Sequence, residues 1–326
     1  MIKKLIKIFI INLTIIFTVF VIADYSIYLK LKYNYNKEHE KFLTVLPPFP
    51  TYIEKYKMGY LASSIQYFKK CGKNLGFRKF NINDKFKKSP IIIFGCSYAY
   101  GDLLNEYQTI NYKLHQLTKR NIFNFGLCAC GIQHMLYIIN QKFFGFLDNQ
   151  KPEYAIYIYI PSHLFRLQSK IFPMIQNNGI NLQYFLDNGK LKLKNYSNNI
   201  LYNTFFLRSL YSIIDEINRK NFTQYKYKSF MLANEIFLES KRLLEQDYPG
   251  IKFVIINFQT INDGPDYELP FFFNVLEKEG FIVINTEDLI GRKFEYNTKD
   301  MAEDCCHPSE STWDTLLPLI VKKLKL

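Results

Sequence analysis

From Pro90 onward the chain alternates short apolar runs with longer stretches in which apolar residues recur at helical spacing. The runs are Ile91 to Phe94, Ile122 to Phe125, Tyr154 to Ile160, Ile251 to Phe258 and Phe281 to Ile284. Between them, Leu103 to Thr118, Ile132 to Phe146, Phe230 to Gln246 and Leu269 to Lys278 read as helices. Runs that are apolar at nearly every position predict strands covered on both faces, as in a parallel sheet with crossover helices. The pattern therefore predicts an α/β fold, a flavodoxin-like three-layer sandwich around a mainly parallel five-stranded sheet. Sheets of this kind bind ligands beyond the carboxyl ends of their strands.

One segment breaks the rhythm. About 165–227 contains a hairpin-like stretch, Leu182 to Leu193, around the turn signal Asp187-Asn188-Gly189. It reads as an insertion overhanging the upper edge of the sheet, either as a lid or as a surface excursion.

The start of the chain differs in kind. Lys3, Lys4 and Lys7 precede Ile8 to Ala23, which carries no charge. With Leu5 and Ile6 the stretch approaches the roughly 20 residues that span a bilayer. Basic residues on its N-terminal side predict a cytoplasmic N-terminus and an extracytoplasmic bulk. Residues 1–24 are thus expected to be an N-terminal transmembrane helix, with a cleaved signal segment as the alternative. The stretch 25–88, with its prolines at Pro47, Pro48 and Pro50, reads as a stalk and N-terminal extension, leaving 89–326 as the main domain.

Lys+Arg 42 against Asp+Glu 29 gives a formal net charge of +13. The basic residues are dispersed in short clusters such as Lys85-Phe86-Lys87-Lys88, without any nucleic-acid-binding signature, so no nucleic-acid partner is expected. The 17% aromatic content argues against wholesale disorder.

The chemistry concentrates at two loops. Ser97 lies just past the first predicted strand and before a helix, where backbone N–H groups and the positive helix end favour a nucleophile. Near the other end lies Asp304-Cys305-Cys306-His307, followed by an amphipathic helix whose start carries a capping-type Ser311-Thr312-Trp313-Asp314. An Asp three residues before a His can fix the imidazole tautomer, leaving the second nitrogen to take a proton from a serine.

With these two blocks the chain resembles the SGNH/GDSL hydrolases, serine esterases and O-acyltransferases on a flavodoxin-like sheet. Gly95-Cys96-Ser97-Tyr98-Ala99-Tyr100-Gly101 corresponds to the first block and Asp304-Cys305-Cys306-His307 to the last. The resemblance implies Ser97 as nucleophile, His307 as base and Asp304 as its orienter. Asn124-Phe125-Gly126-Leu127-Cys128-Ala129-Cys130-Gly131 is similar to the second block and Ile160-Pro161-Ser162-His163 stands where the third would be. They imply an oxyanion hole from Ser97, Ala129, Gly131 and His163, with His163 replacing the family's Asn. Cys96 for the block Asp, Ala129 for Gly and His163 for Asn are departures from the family pattern.

Arg166, one turn from His163, reads as a partner of a nearby carboxylate or of an anionic substrate group. His39, His115 and His134 read as ordinary surface or partly buried residues. Cys128, Cys130, Cys305 and Cys306 flank the proposed site. Their spacing departs from that of zinc sites, and a disulfide between the two loops is the simpler explanation. No metal and no cofactor is expected. The expected activity is hydrolysis or transfer of acyl groups, acetyl above all, on a cell-surface glycan or an acylated small molecule. A non-catalytic glycan-binding or assembly protein on the same fold is the alternative.

Overall fold

A computed structural model of the chain describes residues 11–23, 25–26, 88–101, 103–126, 130–140, 142, 150–168, 182–195, 213–214, 217, 222–259, 269–295, 298–302 and 307–326. The elements in chain order are β1 (Ile91–Gly95), α1 (Ser97–Tyr100), α2 (Ile110–Thr118), β2 (Ile122–Asn124), α3 (Ile132–Asn140), β3 (Tyr154–Tyr159) and α4 (Ser162–Gln168). They continue with β4 (Leu182–Asp187), β5 (Lys190–Asn195), α5 (Phe222–Asp247), β6 (Lys252–Asn257), α6 (Leu269–Lys278), β7 (Ile282–Asn285), α7 (Thr286–Ile290) and α8 (Glu310–Leu324).

Five strands form one sheet in the order β2-β1-β3-β6-β7, and every neighbouring pair is parallel. The chain steps outward from β1 to β2, then crosses back to β3 on the other side of β1. That reversal opens a crevice at the carboxyl ends of β1 and β3, where a doubly wound sheet holds its ligand. The apolar runs predict all five strands to within a residue or two, because a strand covered on both faces needs apolar side chains throughout.

Each face carries its own core. Ile91, Ile93, Ile156 and Ile158 meet Leu114 of α2 and Trp313, Leu316 and Ile320 of α8. On the other face Ile92, Phe94, Tyr157 and Tyr159 meet Ile132 and Met135 of α3, Phe237 of α5 and Phe272 of α6. Each such side chain, once buried, contributes about 1.5–3 kcal/mol.

Some expected details differ. Helix α2 starts at Ile110 rather than Leu103, after a short 3-10 turn at Glu106–Gln108, with Leu103 at φ 63°. Helix α8 is capped by Ser309, whose hydroxyl accepts the Thr312 N–H, two residues before the expected Ser311 cap. The hairpin β4–β5 is antiparallel, with Asn188 and Gly189 both at positive φ, as its turn signal predicted. Its Tyr184 packs into the α3 face of the core and bonds Asn140 at the C-terminal end of α3. Strand β4 also lies against α4 and α5, so the described hairpin packs on the helical layer of that face.

Residues 11–23 are helical, with Ile15, Ile16, Phe17 and Ile22 exposed. Among the described residues no helix is long and apolar enough to cross a membrane, so the expected transmembrane helix has no support in the described structure.

Candidate active site

The turn after β1 is built for close approach. Gly95 has φ 148°, and a Cβ there would lie 2.8 Å from the Ala99 Cβ and 3.0 Å from the Ile158 carbonyl oxygen. Only glycine accepts both the dihedral and the crowding. The chain then turns through Cys96 into α1, and Gly101 ends that helix in the left-handed region, its N–H donating to the Ser97 carbonyl. As the first residue of a helix, Ser97 has no carbonyl one turn back for its own N–H.

Helix α1 is held from the side by β2. The Asn124 side-chain amide donates to the Ala99 carbonyl at 2.6 Å, and its Oδ1 accepts the Gly126 N–H at 2.8 Å. A Cβ on Gly126 would stand 2.5 Å from the Tyr100 nitrogen. The β2–α3 connection therefore lies directly against the turn that carries Ser97.

The loop before α8 delivers the histidine. Met301 and Pro308 form an antiparallel bridge, and the Ala302 N–H donates to the His307 carbonyl at 2.7 Å. Asp300, buried beneath, accepts from Arg292 and passes its own carbonyl to the Ser309 N–H and the Thr312 hydroxyl. The Arg292 guanidinium holds the Asp300 carboxyl below its usual range. On this frame His307 Nε2 lies 2.7 Å from Ser97 Oγ, across 210 residues of sequence. Tyr98 braces the imidazole, its ring centroid 5.5 Å from that of His307 and 5.3 Å from Phe258.

Of the residues expected at the site, Ser97 and His307 are brought together. Asp304 and Ala129 lie outside the described residues, as do Cys128, Cys305 and Cys306. Gly131 requires a correction: its N–H donates to His134 Nδ1 at 2.9 Å, so that amide is already spent. His163 packs among tyrosines. It is fully buried against Tyr157 and Tyr159, on the opposite face of the sheet from the core that Tyr98 joins. Its Nδ1 faces both the Tyr157 hydroxyl at 2.9 Å and the Ile160 N–H at 3.5 Å, and its Nε2 has no partner among the described residues. Burial and the nearby Arg166 keep this imidazole neutral far into acid.

Arg166 and His134 have roles that the sequence concealed. Arg166 Nη1 donates to the Cys130 carbonyl at 2.6 Å. His134, read as an ordinary residue, is buried at the start of α3, its pKa pushed down to about 3 by desolvation and by Arg166. The Cys96 and Cys130 thiols are both free and buried, and burial pushes the Cys130 thiol up. Among the described residues no group of three His, Cys, Asp or Glu could hold a metal ion.

A serine hydrogen-bonded to an imidazole at the carboxyl edge of a parallel sheet has the parts of a base-activated nucleophile. No family model matches the chain, and no curated protein matches it. Solved structures do. TesA is similar at 13% identity over 72% of this chain and 98% of that chain, with a TM-score of 0.43. A member of the lipolytic protein G-D-S-L family from Veillonella parvula DSM 2008 is similar at 12% identity over 72% and 98%, with a TM-score of 0.41. The acetyl xylan esterase Est2A from Butyrivibrio proteoclasticus is similar at 9% identity over 75% of this chain and 65% of that chain, with a TM-score of 0.40. The fold class here rests on the strand order, and the site on its own geometry.

Proposed function

We propose that the protein is a divergent SGNH-type serine esterase or O-acyltransferase acting on acyl groups, acetyl above all, of a cell-surface glycan. The observation that carries this reading is the 2.7 Å contact between His307 Nε2 and Ser97 Oγ. In the proposed cycle His307 Nε2 accepts the Ser97 proton as Oγ bonds to the ester carbonyl carbon. The tetrahedral oxyanion is met by the Ser97 N–H and by an amide of the β2–α3 loop at Ala129, in keeping with the resemblance. His307 returns the proton to the departing alcohol, leaving an acyl-serine. Water or an acceptor hydroxyl, deprotonated in turn by His307, releases the acyl group and restores Ser97. Asp304 orients the imidazole in this scheme.

The glycan preference takes its support from analogy with esterases such as Est2A, an acetyl xylan esterase. The location is part of the same proposal: Ile8 to Ala23 anchors the chain, with the sheet domain outside the cytoplasm. The exposed apolar side chains of the 11–23 helix and the preceding lysines favour it. Protease accessibility of the domain in intact cells tests that placement; protection from added protease would refute it.

The chemistry is tested with a fluorophosphonate probe on the native chain, Ser97→Ala and His307→Ala. Labelling of the native chain that is lost in both variants is expected. A folded native chain that takes no label would leave the non-catalytic binding role as the better reading.

A further inference from the structure

Both polar groups of one peptide plane, between Cys130 and Gly131, are taken by buried side chains, one from α4 and one three residues along the chain. The Cys130 carbonyl accepts from Arg166 Nη1 at 2.6 Å, and the Gly131 N–H donates to His134 Nδ1 at 2.9 Å. Arg166 is 8% exposed and His134 2%, so water competes little for either bond. The arrangement is braced again by Gln133, whose side-chain amide donates to the Arg166 carbonyl at 3.3 Å. A Cβ on Gly131 would come within 2.7 Å of the Gln133 Oε1, so the backbone and this side chain are pressed together.

The plane sits at a telling place. It closes the β2–α3 connection, whose other end, at Asn124 and Gly126, is bonded to and packed against the Ser97 turn. The connection is thus tied at one end to the nucleophile helix and at the other to Arg166 and His134. Cys96, the residue before Ser97, is close enough to Cys130 for a charge on it to be felt there. A peptide pinned at both its N–H and its C=O cannot rotate without losing two buried hydrogen bonds, each break leaving a desolvated group.

We propose that Arg166 is a positioning residue for the acyl-transfer step: with His134 it locks the Cys130–Gly131 peptide and thereby sets the end of the loop that presents an amide to the oxyanion. This rests on the serine-esterase reading above and deepens it. Arg166 touches no reacting atom. A guanidinium suits the task because it never loses its proton, and a neutral imidazole suits the second bond because its Nδ1 must remain an acceptor. Protonation of His134 would turn that nitrogen into a donor facing another donor. The guanidinium beside it and its own burial oppose that protonation down to pH about 3.

The test measures kcat and KM for 4-nitrophenyl acetate, and the fluorophosphonate labelling rate, on the full chain. The variants are Arg166→Met, Arg166→Lys and His134→Phe, each checked for folding by circular dichroism. Misplacing an oxyanion donor by about 1 Å costs roughly 100-fold in rate. Arg166→Met is therefore expected to lose about that factor in kcat, with KM within about threefold, since the ground-state ester makes less use of the oxyanion donors. Arg166→Lys, which keeps a buried cation and one donor, is expected to recover about tenfold of the loss. His134→Phe should fall with Arg166→Met, and stands in for it if Arg166→Met does not fold. Native kcat in folded Arg166→Met or His134→Phe would overturn the positioning role while leaving the esterase reading intact. A native chain that neither labels nor turns over would overturn the esterase reading, and this role with it.

Discussion

The Tyr98 ring stands 5.5 Å from the His307 imidazole at 60°, with its other side against Phe258 at 5.3 Å and 89°. Helix α1, which starts with Ser97, thus also supplies, one residue later, the surface on which the base rests. The Phe258 ring stacks in turn on Phe294 at 4.5 Å, so an aromatic ladder carries the core up to the imidazole. Removing the middle rung should loosen His307 without touching its hydrogen-bonding atoms. Tyr98→Ala is expected to lower kcat by about tenfold through a misplaced base. Stability should also fall, by about 3–5 kcal/mol, as for other buried aromatics cut to alanine. Urea melts and steady-state kinetics on the same preparation check both; an unchanged kcat would show that Tyr98 only fills space.

Asn124 links the second strand to the nucleophile. Its side chain, 1% exposed, donates to the Ala99 carbonyl and to Asn111 Oδ1 and accepts the Gly126 N–H. Asn124→Leu removes these partners at once and leaves desolvated groups costing about 1–3 kcal/mol each. A lowered urea midpoint is expected, together with slower fluorophosphonate labelling as α1 loses its lateral hold. Labelling at the native rate would argue against that hold.

Acid should loosen the His307 loop before it affects the sheet. Arg292 donates to both Asp300 carboxylate oxygens and the Glu295 N–H donates to one, which together hold the folded-state pKa of Asp300 below its unfolded value. A depressed carboxylate contributes its stability fully above the unfolded value of about 3.9 and loses it as pH falls through the folded value. Thermal melts from pH 7 to pH 3 should show the native chain losing stability in that acid window. In Asp300→Asn the same scan should start lower and change less, and parallel curves would refute the linkage.

The candidate pair was legible because Ser97 follows a buried strand at a glycine turn and His307 precedes a helix. Each is a local pattern with a local physical cause. The five strands were legible for a similar reason, since burial on both faces leaves little room for polar residues. The face that the His163 ring takes was not legible from its position after β3; Tyr157 and Tyr159 decided that. Gly131 was misread because a glycine near the right place offers an N–H in sequence, whereas its availability depends on His134. The bond from Arg166 to the Cys130 carbonyl could not be read from its neighbours, as that carbonyl lies 36 residues away. The Ser309 cap lay two residues from the expected one because Ser309 and Ser311 both bond the Lys299 carbonyl, and only the chain path shows which of them starts the helix.

The sequence by itself determined the layered α/β plan, the parallel strands and the two loops that carry Ser97 and His307. These follow from hydrophobic periodicity and turn chemistry, which act over a few residues. Tertiary structure alone decided that the two side chains meet at 2.7 Å, that Tyr98 supports the imidazole, and that Arg166 and His134 claim the Cys130–Gly131 peptide. Buried donors and acceptors must find partners wherever the folded chain places them, and that placement is a property of the packed molecule rather than of any stretch of its sequence.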